Sequence, residues 1–184
     1  MEIARKVGNP GLINHCLIYP SEALVYSKQY DRGRPLVEEL LASSEKLEYI
    51  YGIENARHLL GDCAQGTKSF KEAERRYAQG IEIALKYNWI WLAACDMQGV
   101  AFALSGQSRW AKSIRLDIAA REKIRTLCGG TLDGLVAFWD EWIETYLGGA
   151  RKELGEDLTK KYEEEGKNIS FEEAIKYALN FDLD

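Results

Sequence analysis

Apolar residues recur along this chain at steps of three and four, the spacing that gathers side chains on one face of a helix. Read from one end to the other, this periodicity places helices near 11–27, 30–50, 53–66, 70–87, 89–105 and 108–127. Beyond Cys128-Gly129-Gly130-Thr131 the stripe resumes with Leu135, Phe138, Trp139, Trp142, Ile143, Tyr146 and Leu147 on one amphipathic helix. Leu154, Leu158 and Tyr162 mark another, and Phe171, Ala174, Ile175, Ala178 and Leu179 form the apolar face of the last. Ser170 and Glu173 precede that face at capping-box spacing: the serine oxygen serves an orphan amide of the first turn, and the glutamate reaches back to the cap. Helix formers fill the intervening positions and only three prolines occur, so the expectation is an all-α fold. Pro20 falls inside the first helix and is expected to kink or split it, whereas Pro35 sits near a helix start, where proline is tolerated.

The helices come in a repeated pattern. Its clearest copy is Leu60, Gly61, Ala64, Phe70, Glu72, Ala73, Tyr77 and Gly80. A second reads Gly99, Phe102, Gly106, Ala111 and Ile118, and a weaker earlier one Ser21, Leu24, Tyr30, Gly33, Val37 and Leu40. The anchors Ser21, Gly61 and Gly99 lie 40 and 38 residues apart, longer than the roughly 34 of a tetratricopeptide repeat by about one helical turn. Small residues at Gly61 and Ala73, and at Gly99 and Ala111, let paired axes approach while aromatic rings fill the gaps. The expected architecture is therefore an all-α, tetratricopeptide-like right-handed solenoid of helical hairpins with a C-terminal helical cap. Three repeats would occupy 1–127, with an N-terminal stub at 1–10, and a helical unit and cap would continue the same solenoid through 128–184.

The later residues resemble something narrower. Ala150-Arg151-Lys152-Glu153-Leu154-Gly155, then Leu158, Tyr162 and Gly166, then Ser170-Phe171-Glu172-Glu173-Ala174-Ile175-Lys176-Tyr177-Ala178-Leu179 are similar to the C-terminal repeat region of signal-transduction ATPases, found in transcription regulators and adenylate-cyclase fusion proteins. The resemblance implies a scaffold or sensor module of a signalling regulator. Members of that family carry a nucleotide-binding module and an output domain ahead of the repeats, and Met1 to Val7 with Gly8-Asn9-Pro10 looks like the tail of a preceding repeat helix. A fragment or shortened relative is the expectation.

Composition narrows the partners. A net charge of -5 and a pI near 5.3, with basic residues interleaved among acids, argue against direct nucleic-acid binding. No apolar run reaches the roughly 18 residues of a membrane span, and the N-terminus lacks a signal-peptide core, so a cytoplasmic chain without a membrane partner is expected. Cys16, Cys63, Cys95 and Cys128 form no C-x-x-C pair and read as buried thiols. The run from Gly61 to Ser69 approaches a phosphate-binding loop, but Thr67 separates Gly66 from Lys68 and the segment reads as a repeat turn.

No catalytic triad, carboxylate dyad or metal-ligand set emerges, so a non-catalytic module without cofactor is the leading expectation. Counted from the anchors, His15, Ile18, Glu22, Asn55, His58, Asp62, Gln65, Asp96 and Val100 occupy the positions that line the concave face of tetratricopeptide folds. His58 and Asp62, four apart, could share in a metal site but read as groove lining. The groove is acidic and partly apolar. It should favour a basic or amphipathic protein segment, or a small-molecule effector, over the acidic C-terminal tails that cationic grooves grip. Two other readings are an oligomerisation module pairing copies through Trp89, Trp91 and Trp110, and a small metal-dependent or acid-base enzyme around His15 and His58.

Overall fold

The computed structural model describes residues 6–130 and 137–180, and all of the described secondary structure is helical. Leu135 of the aromatic stripe and the first five residues of the N-terminal stub lie outside the described residues. Helices α1 (Pro10–Tyr26), α2 (Tyr30–Lys46), α3 (Ile50–Gly66), α4 (Phe70–Lys86) and α5 (Ile90–Gly106) are each 17 residues long, and α6 (Trp110–Cys128) is slightly longer. Their first residues fall at 10, 30, 50, 70, 90 and 110, a constant step of 20.

One turn, used five times, produces that step. After each of the first five helices a single non-glycine residue takes the left-handed conformation: Lys28, Glu48, Lys68, Asn88 and Ser108, with φ between 53° and 63°. Its amide and the next then bond back into the last helical turn. Lys28 N donates to Val25 O at 2.9 Å and Gln29 N to Leu24 O at 2.8 Å, and the same pair of bonds closes α2, α3, α4 and α5. This is the Schellman arrangement, which satisfies carbonyls that the helix end leaves open. The segment from Gly61 to Gly66 is helical and Thr67 and Lys68 belong to this turn, so no strand-to-helix phosphate loop forms there.

Each helix packs on its neighbour in sequence, and α1 also meets α3, as α3 meets α5. The repeat unit is thus two helices and 40 residues throughout. By that count the partner of Gly61 is Ala101 and the partner of Ala73 is Ser113, so the anchor at Gly99 and the pairing of Ala73 with Ala111 are corrected by two residues. Gly99 resembles Gly61 for a different reason. Both face the ring of Tyr77, and a Cβ on either would come within 2.6 to 2.7 Å of it. Tyr77 on α4 is wedged between α3 and α5. Ala73 is fully buried and Ser113 donates its hydroxyl to Ala101 O at 2.7 Å, whereas Ala111 is half-exposed. Ala73→Leu is therefore expected to lower stability by about 1–3 kcal/mol, as overpacking does, and Ala111→Leu by little. Denaturant midpoints check this, and equal losses would contradict the 40-residue register.

The C-terminal part closes on the same core. Helix α7 (Ala137–Trp142) runs through a π-helical turn, Ile143–Gly148, into α8 (Gly149–Asn168). Gly155, at φ 75° and ψ 172°, reverses the chain inside α8. Across that reversal Arg151 Nε donates to Glu163 Oε1 at 2.8 Å, and Thr159 Oγ1 to Arg151 O at 3.3 Å. The stripe of Leu154, Leu158 and Tyr162 is broken by it: Leu158 is exposed, and the residues buried are Ala150, Thr159 and Gly166. Helix α9 (Phe171–Leu179) begins with the expected capping box, with Glu173 N donating to Ser170 Oγ at 3.2 Å and Ser170 N to Glu173 Oε2 at 2.9 Å. It buries Ala174, Ile175 and Ala178. Arg115 of α6 staples this end, bonded to Glu165 at 2.6 Å and lying 4.3 Å from the Tyr162 ring.

Pro20 does not split α1. It is exposed, and the carbonyl that loses its amide partner can be served by water. Of the thiols, Cys63 is buried, Cys16 and Cys95 are half-buried, and Cys128 is exposed, against the expectation that all four are buried.

Candidate functional site

Helices α1, α3 and α5 share one face because each touches the next of the three. Steps of three and four along α3 align Tyr51, Glu54, Asn55, His58 and Asp62 on that face. Trp91, Leu92 and Cys95 do the same on α5, and Glu22 and Tyr26 on α1. Helix α7 lies across this face. Phe138 stacks on Tyr26 with ring centroids 5.2 Å apart, and Trp139 stacks on His58 at 5.8 Å. Trp139 Nε1 donates to Gln98 Oε1 at 2.8 Å, Gln98 in turn donates to Asp117, and Ser105 Oγ donates to Tyr146 O in the π-helical turn at 2.7 Å. Lys28 pairs with Glu141. Between α7 and the three helices remains a cavity of about 290 Å3.

Under the cavity lies a buried charge cluster. His58 Nδ1 is 2.8 Å from Asp96 Oδ1, its Nε2 is 3.6 Å from Asp62 Oδ2, and Tyr77 donates its hydroxyl to Asp62 Oδ1 at 2.8 Å. Burial works against the charge on His58, but the Asp62 carboxylate and the bond to Asp96 outweigh it and push its pKa up to about 10. Asp62 is raised to about 6 by burial, held from going further by His58 and the Tyr77 bond. Asp96 is raised by burial, with His58 opposing. Glu54, beside them, is pushed up to about 8 by burial and by the charge of Asp96. The carboxylate of Asp96 fits only because residue 80 is glycine: a Cβ there would stand 2.1 Å from Asp96 Oδ2.

Of the nine residues that the sequence placed in a groove, Glu22, Asn55 and His58 line the cavity. Asp62 and Asp96 are fully buried in the charge cluster, and Ile18, Gln65 and Val100 are core. His15 is exposed and packs edge-on against Tyr19, away from His58. Sequence reasoning did not place Tyr26, Tyr51, Glu54, Trp91, Leu92, Cys95, Phe138 or Trp139 there. A signal was available on α3 and α5, since Tyr51 and Trp91 occupy the same place in successive repeats, 40 residues apart.

Chemically the site offers shape, aromatic surface and negative charge. Burial pushes the Cys95 thiol well above its ordinary pKa, so it stays neutral rather than nucleophilic near neutral pH. Among the described residues no three His, Cys, Asp or Glu side chains converge as a metal site, and no helix is long and apolar enough to cross a membrane. Comparison of the chain with protein-family models, with characterised proteins and with solved structures gives no match.

Proposed function

We propose that this chain is a non-catalytic binding module, a scaffold or sensor of tetratricopeptide-like solenoid form, that takes a basic ligand on the face shared by α1, α3 and α5. One observation carries the reading: the cavity on that face is lined by Glu22, Glu54 and aromatic rings, with no Lys or Arg among its lining residues. Because α7 already crosses the face, the room left suits a small effector or a single inserted side chain, at the small end of ligand pockets of about 300–1,000 Å3. A further helix, about 10–12 Å across, is too wide for it. The resemblance of the last 35 or so residues to signal-transduction ATPases supports a place in a signalling regulator.

The test is a titration of the whole chain with a lysine-rich peptide and with an acidic C-terminal peptide, followed by the fluorescence of Trp91 and Trp139. The basic peptide is expected to bind, more weakly at high salt, and the acidic one not to bind. Micromolar affinity for the acidic peptide would overturn the proposal. Charge reversal of Asp62 or Asp96 is unsuitable because both are buried in the His58 cluster. Glu22 is half-exposed and, among the described residues, bonded only to Asn55, so Glu22→Lys should weaken the basic peptide with unfolding unchanged.

A second reading, association of copies, draws on a cluster of rings beside the cavity: Trp89 stacks on Tyr87 at 5.4 Å and meets Tyr51 edge-on at 6.1 Å, with Tyr51 and Tyr87 exposed. Trp89, Trp91 and Trp110 themselves are half-buried. Light scattering over a range of concentrations that shows only monomer would exclude this reading.

A further inference from the structure

The cavity has a more specific chemistry than acidity. The aromatic residues Tyr26, Tyr51, Trp91, Phe138 and Trp139 line it. Glu54 also lines it, and its residue is only 2% exposed, yet no hydrogen-bond donor among the described residues reaches its carboxylate. A buried carboxylate without a partner is costly, and proteins that carry one as a rule give it a partner. The nearby groups do not supply it. His58 is engaged by Asp96 and Asp62, and Asn55 donates to Glu22 at 3.1 Å. Once ionised, Glu54 would be paired by a cation entering the cavity.

We infer that this cavity is a binding site for an alkylammonium group, an organic cation whose apolar body lies against the ring faces and whose charge faces Glu54. The inference rests on the basic-ligand reading above and narrows it to one chemical class. Ring faces attract a desolvated cation through their quadrupole, the means by which aromatic cages hold quaternary ammonium ions. An anion would find no Lys or Arg among the lining residues, and a neutral polyol could donate hydroxyl hydrogen bonds to Glu54 but would leave its charge uncompensated. The charged and titratable groups around the site are Glu22 and Tyr26 on α1, Tyr51, Glu54, His58 and Asp62 on α3, and Cys95 and Asp96 on α5. Their carboxylates outnumber the single His58 cation.

The experiment is calorimetry on the whole chain with three probes: choline, its neutral isostere 3,3-dimethylbutan-1-ol, and the lysine-rich peptide. Burial pushes Glu54 up to about 8, so the titrations are run at about pH 8.5, where it is largely ionised. Choline is expected to bind at least about tenfold more tightly than the isostere. Glu54→Gln should abolish that preference without lowering the unfolding midpoint, since it removes an unpaired buried charge, and Trp91→Leu should weaken choline as well. Equal affinity for choline and the isostere, or unchanged choline affinity in Glu54→Gln, overturns the inference. If choline does not bind while the peptide does, and the peptide is indifferent to Glu54→Gln, the alkylammonium site is wrong and the basic-ligand reading stands. If neither binds, both are wrong. Choline binding without peptide binding identifies a free small cation, and not a protein side chain, as the source of the group.

Discussion

Replacing Tyr77 with alanine is expected to lower the stability of this protein by about 3–5 kcal/mol, the range for deleting a large buried ring. Tyr77 is fully buried, its ring fills the space left by Gly61 on α3 and Gly99 on α5, and its hydroxyl holds Asp62 at 2.8 Å. Glycines cannot close in on the void, because neither has a side chain to move. Tyr77→Phe separates the two roles: it keeps the ring and removes only the hydrogen bond, leaving a buried carboxylate oxygen short of a donor at a cost of about 1–3 kcal/mol. Denaturant unfolding measures both, the effect appearing as a shifted midpoint at constant slope. A loss below about 1 kcal/mol for Tyr77→Ala would mean that the ring is not the wedge between α3 and α5.

Stability is also expected to fall as pH rises, because the three groups of the buried cluster with defined values all have raised pKa values. A raised pKa means that the folded state holds its proton more tightly than the unfolded chain. The stability it contributes is complete below the unfolded value and is lost as pH climbs through the folded one. For Asp62 that window runs from its ordinary 3.8 to about 6, for Glu54 from 4.5 to about 8, and for His58 from 6.5 to about 10. The windows of Asp62 and Glu54 overlap between pH 4.5 and about 6 and those of Glu54 and His58 between pH 6.5 and about 8, and in each overlap the loss is on the order of 1 kcal/mol per pH unit for each group. Thermal midpoints measured across this range at constant ionic strength should decline steadily. Glu54→Gln should roughly halve the decline between pH 6.5 and about 8, leaving the share of His58 there, and leave the decline above about pH 8 unchanged. A midpoint that rises with pH from 6.5 to 8 would show that His58 is not held as a cation between Asp62 and Asp96.

Several features were legible one residue at a time. The helices of the repeat region begin and end within a few residues of where the periodicity put them, and the Ser170–Glu173 capping box forms as its spacing foretold. Both depend on contacts within one or two helical turns, so the sequence window contains all the participants. Other features misled for a definite reason. Gly99 reads as a repeat anchor because glycine marks close approach, but the approaching group is Tyr77, which also faces Gly61. A repeat counted from glycines therefore slipped by two residues, while the turns at Lys28, Glu48, Lys68, Asn88 and Ser108 keep a step of 20 that no residue type announces. Gly155 reverses the chain within a stretch whose apolar spacing reads as one continuous helix.

What the sequence determined by itself is the inventory: helices in pairs, a 40-residue unit recognisable to within a turn, a capped C-terminal helix, an acidic balance and an aromatic stripe from Phe138 to Tyr146. These follow from local periodicity, hydrogen bonding within a helical turn and net charge, none of which needs a distant partner. The tertiary structure alone decided where the aromatic stripe goes. Phe138 and Trp139 pack onto Tyr26, His58 and Phe102, residues far away in sequence, and so turn an open face into a cavity. It also decided that Asp62 and Asp96 belong to a buried cluster around His58 rather than to a groove surface. Burial and pairing are set by which helix lies over which, a property of three helices at once, and four-residue spacing along any one of them cannot distinguish a carboxylate facing water from one facing a histidine.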